Sequence, residues 1–72
     1  MNGRVAVLGA PAEIRGWGLA GLLVIPAADD TEARKAWATL PAGVRLVVLT
    51  HAAAEAIGAA GENDGPLIAV LP

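Results

Sequence analysis

Few side chains in this sequence can do chemistry. His51 is the single histidine and follows Thr50 at the end of an apolar run. Paired with Glu13, it would make a general base and the carboxylate that orients it. Asp29 and Asp30 are adjacent carboxylates that would suit a hard cation. Gly9-Ala10-Pro11 stands where a phosphate loop lies in nucleotide-binding proteins. Each group also has a plainer account. Thr50 caps a helix and leaves His51 exposed in its first turn. Asp29 caps another helix. GAPAEI lacks the GxGxxG spacing, and Pro11 removes one N–H that a phosphate would use. The plainer accounts are preferred, so no catalytic residue, cofactor site or metal site is expected. A phospho-receiver site is excluded too. It needs an acidic pair after the first strand and an Asp at the end of the third, where this chain has Gly9-Ala10 and Leu49-Thr50.

These residues sit at the ends of short elements that repeat a strand-then-helix pattern. Val5 to Leu8 run apolar without alternation within a strand over Arg4–Gly9, which suits burial on both faces. Pro11 is well placed at the first position of a helix. That helix is expected over Pro11–Ala20, with Ile14, Trp17, Gly18 and Gly21 on one face. Gly16 and Gly18 weaken it by about 1 kcal/mol each. Close approach of its backbone to a sheet or partner would compensate, and Gly21 would stop it.

Leu22–Ile25 reads as a second strand, closed by Pro26. Asp29 and Glu32 have the spacing of a capping box. They open a helix whose stripe is Ala33, Ala36, Trp37 and Leu40. Pro41 to Gly43 ends it. Val44–Leu49 is the third strand, interrupted only by Arg45. Ala53, Ala56 and Ile57 form the stripe of a third helix, fraying over Gly58–Gly61. Glu62–Gly65 is a polar loop, and Pro66–Leu71 a fourth strand.

The bulk numbers fit one domain, residues 1–72, with 56% hydrophobic and 17% charged residues. A chain this short buries only about 60% of its unfolded surface, so its stability is marginal. The absence of cysteine excludes disulfides. A net charge of −2 without a basic cluster argues against nucleic acid. No run reaches the ~20 apolar residues of a spanning helix. A cytoplasmic chain is expected. A partner would supply the stability that other staples do not.

The order of elements predicts an α/β, three-layer, flavodoxin-like fold with a four-stranded parallel sheet of order 2-1-3-4 and three helices. Right-handed crossovers place the first helix on one face and the other two on the opposite face. A C-terminal helix, which such folds usually add beside the first, is not expected. One face of strands three and four would then stay bare. Because Arg45 interrupts its strand, Arg45, Val47 and Leu49 are expected on that face. Leu67, Ala69 and Leu71 are their counterparts in strand four. Trp37 reads as core. Trp17 packs on the sheet or lies at the edge of the contact.

Two stretches carry a family resemblance. Val5-Ala6-Val7-Leu8-Gly9 followed by Gly16-Trp17-Gly18-Leu19-Ala20-Gly21 resembles the IAVIG strand and GFRLAG-like helix of the F subunit of V/A-type rotary ATPases. VRLVVLT, then Ala54-Glu55-Ala56-Ile57, and the closing Pro66–Pro72 strand are similar to later parts of that family. The chain departs from it at Ala10-Pro11-Ala12, at Trp17 and Gly18, and in the C-terminal regulatory helix. The resemblance implies a non-catalytic rotor subunit of the central stalk, docked on the coiled-coil D subunit. It would help couple ATP turnover to ion transport, hydrogen ions included, as a cytoplasmic, peripheral part of a membrane-bound complex. The alternative from the residues alone is a free-standing flavodoxin-like module, either binding a small ligand near Glu13 and His51 or forming a homodimer.

Overall fold

The computed structural model describes residues 4–58 and 65–71, with Leu19 and Ala20 described by backbone alone. Strands β1 (Arg4–Gly9), β2 (Leu23–Pro26), β3 (Val44–Leu49) and β4 (Leu67–Val70) form one sheet of order β2-β1-β3-β4. All three pairings are parallel. The expected α/β architecture is therefore the observed one, with the central β1 buried from Ala6 to Gly9.

Helices α2 (Asp30–Ala38) and α3 (His51–Ile57) lie together on one face of the sheet. Ala6, Leu8, Val44, Val47 and Leu49 from the sheet meet Ala33, Ala53 and Ile57 there. Trp37 packs against this cluster, as its position in the helical stripe implies. Val7 and Ile14 are also fully buried but lie outside the cluster. They form a smaller core on the opposite face, beneath α1 (Pro11–Ile14).

The first helix differs from expectation. Only its first turn is α-helical; Arg15–Ala20 is a 3-10 helix. Gly16 and Gly18 offer little resistance to leaving the α conformation. Within this segment Trp17 is half-buried and Gly18 is exposed, although both were expected on one face with the buried Ile14. The close-approach account of the glycines holds only in part. A Cβ at Gly18 would touch Val24 Cγ2 at 3.4 Å, but one at Gly16 would meet nothing within 4 Å. Gly21 stops the segment as expected, with φ at 83° and its N–H donating to the Gly18 carbonyl.

The two later helices are capped as their sequences indicate. Asp29 accepts from the Glu32 N–H at 2.8 Å, and Glu32 Oε1 accepts from the Ala28 N–H at 2.8 Å. The reciprocal contact reaches one residue further back than in a standard capping box. Thr50 Oγ1 accepts from the Ala53 N–H at 3.2 Å. Helix α3 ends at Ile57, where Gly58 takes a positive φ of 55°. The fraying expected over 59–61 and most of the loop expected over 62–65 lie outside the described residues.

Candidate functional site

The registers decide which strand residues share a face. Leu46 pairs with Leu67, and Val48 with Ala69. Paired residues in a sheet point to the same side, and side chains alternate along each strand. Ala6, Leu8, Val47 and Leu49 belong to the α2–α3 core. Leu46, Val48, Leu67 and Ala69 therefore face the α1 side. There α1 covers Val7 but does not reach β4. Leu67 is 75% exposed and Val5 is 36% exposed, while Ala69 is also exposed. Leu46, Val48 and Leu71 are half-buried. The result is an open apolar strip two strands wide. Among the described residues, nothing covers it.

The bare strip was expected, but half of its membership was not. Val47 and Leu49 are 0% and 1% exposed and point into the α2–α3 core. The cause lies at Arg45. Arg4 pairs with Val44, but the next residue, Val5, pairs with Leu46. Arg45 is thus the extra residue of a β-bulge and has no partner in β1. A bulge resets the alternation of the strand that carries it. Arg45 is exposed, but its side does not extend to Val47 and Leu49. The open residues of β3 are Leu46 and Val48, which the alternation counted from Arg45 missed. Leu67 and Ala69 occupy the side expected for them, and Leu71, one residue beyond β4, is half-buried. Trp17, half-buried, lies on the 3-10 segment that follows α1.

Arg45 also lines a shallow hollow of about 520 Å³ with Val44, Gly65, Pro66 and Leu67. This hollow opens at the amino-terminal end of the strip. Among the described residues that line it, Arg45 is the one that carries a charge.

Parallel sheets bind ligands beyond the carboxyl ends of their strands. A hollow of about 80 Å³ lies there, lined by Gly9, Asp29, Asp30, Thr50 and neighbouring alanines. Small-molecule sites usually measure 300–1,000 Å³, so this one holds a few waters at most. Thr50 is 4% exposed, and its hydroxyl is occupied in capping α3. Neither Glu13 nor His51 lines the hollow. His51 Nε2 instead stands 3.5 Å from Glu55 Oε2, one turn along α3, with both side chains more than 70% exposed. Asp29 and Asp30 belong to the first turn of α2. Among the described residues, no three metal-ligating side chains gather, and no helix is long and apolar enough to cross a membrane.

No family model, curated protein or solved structure matches the chain. The site has to be read from its own geometry, and the open strip is its most distinctive part.

Proposed function

We propose that this chain is a non-catalytic docking subunit, and that its partner is the coiled-coil D-type subunit in the central stalk of a V/A-type rotary ATPase. The docking part of the reading rests on one observation, the open strip of Leu46, Val48, Leu67 and Ala69. Leu67 at 75% exposure is costly for a small domain to leave in water, and exposed apolar patches mark interaction surfaces. The choice of partner rests on the resemblance carried by VAVLG, GWGLAG and PLIAVLP. On this reading the chain turns with the rotor, as a peripheral component on the cytoplasmic side. It contributes to coupling, while ATP chemistry and ion passage take place on other subunits.

A small-ligand module is less well supported, because the carboxyl-edge hollow is only about 80 Å³ and His51 pairs with Glu55 outside it. The test is co-purification. Co-expressed with the D-type coiled-coil subunit of the same organism, the chain should form a stable complex. The isolated chain should show no heat of binding with ATP or ADP.

A further inference from the structure

The shape of the open strip restricts what can lie on it. Two strands spaced 4.7–4.9 Å apart make it about 10 Å wide, and four residues per strand make it ~13 Å long. An α-helix with its side chains is 10–12 Å across, so one helix fills the width. A rise of 1.5 Å per residue sets about nine residues along the length. Helices shorter than about 12–15 residues are marginal in water, so the segment has to arrive already helical, as part of a longer helix. A second copy of this chain fits poorly. Laid face to face, a second strip would offer Arg45 only the apolar Leu46, Val48, Leu67 and Ala69 among its described residues, and no acidic group.

The strip is also electrostatically marked at one end. The bulge lifts Arg45 out of the alternation of β3 and places it in the hollow beside Leu67. A helix lying along the strip would bring its flank against this guanidinium as its apolar stripe covers Leu67. We propose that the strip takes one preformed amphipathic helix of a partner protein, with an acidic side chain on the flank that meets Arg45. This rests on the docking reading above and adds the charge of the flank that the partner helix presents. It also gives the bulge a role. A regular β3 would have put the Arg45 side chain in the α2–α3 layer, away from the strip.

The test uses the full chain and two designed, stapled helices with the same leucine and alanine stripe. One carries glutamates on its flanks, the other lysines. Backbone amide shifts locate binding, and titration gives the affinities. The glutamate helix should shift Leu46, Val48, Leu67 and Ala69 and bind about fivefold more tightly, the upper end for an exposed ion pair. Arg45→Glu, at an exposed position, should reverse the preference, and high salt should abolish it. Equal affinities, shifts at other residues, or no binding by either helix would overturn the proposal. The D-type subunit separates this proposal from the reading beneath it. If Leu67→Asp abolishes its binding and Arg45→Glu leaves it unchanged, docking at the strip stands and the acidic flank falls. If it does not bind while the glutamate helix does, the strip's specificity stands and the assignment of partner falls.

Discussion

Gly9 ends β1 against the side chain of Thr50, the residue that follows β3 and caps α3. A Cβ at Gly9 would overlap Cγ2 of Thr50 and come within 2.7 Å of its Oγ1. Thr50 cannot easily move aside. Its N–H donates to the Leu8 carbonyl at 3.2 Å, and its hydroxyl caps α3. The glycine of the VAVLG stretch is therefore a packing requirement between two strand ends. It leaves room for a helix cap.

Gly9→Ala should destabilise the chain by about 2 kcal/mol, within the usual cost of overpacking. In a domain of this size each kcal/mol lowers the melting temperature by roughly 4–8 °C. Thr50→Ser removes Cγ2 and keeps the cap. The double variant should therefore lose less than the sum of the two single losses, because residues in contact do not add. Thermal melts of the four proteins measure this, and strict additivity would contradict the contact.

Capping predicts a second pair of outcomes. Asp29→Ala and Thr50→Val should each cost about 1 kcal/mol, the usual loss for a helix N-cap. Thr50→Ser and Asp29→Asn should cost clearly less, since each retains an oxygen to accept the bond. Urea titration distinguishes these variants. A Thr50→Val variant as stable as the parent would remove the cap from the account.

The bulge at Arg45 predicts opposite behaviour for neighbouring positions. Leu49→Ala, in the α2–α3 core, should cost about 2–5 kcal/mol. Leu67→Ala, at 75% exposure, should stay within about 0.5 kcal/mol. Equal losses at the two positions would mean that the faces are wrongly assigned.

His51→Ala should leave the fold and the docking surface unchanged. The contact with Glu55 is exposed on both sides, and exposed pairs of this kind contribute little. Circular dichroism and a binding titration with the D-type subunit check this. Loss of a measurable activity in this variant would favour a ligand site at the carboxyl edge.

The sequence announced most of this fold through punctuation and pattern. Pro11, Asp29, Thr50 and Gly21 sit where a helix starts or stops, and their local chemistry does not depend on distant contacts. The continuous apolar runs gave the parallel sheet in the same way. Two features were not legible. The change from α to 3-10 after Ile14 leaves no mark in the apolar spacing of Ile14, Trp17, Gly18 and Gly21, which fits a continuous α-helix. The faces of β3 depend on the pairing of Val5 with Leu46, which no periodicity within Val44–Leu49 records. Arg45 looked like an interruption of the strand. It is a residue outside the ladder, so the residues expected to be open, Val47 and Leu49, are among the most buried.

Docking depends on the open strip. The most direct measurement is hydrogen exchange of the chain, alone and with the D-type coiled-coil subunit, for the parent and for Leu67→Asp. Slowed exchange confined to β3, β4 and the hollow beside Arg45, and lost in Leu67→Asp, is the predicted result. A complex that protects the α2–α3 face or the carboxyl edge, and survives Leu67→Asp, would contradict it.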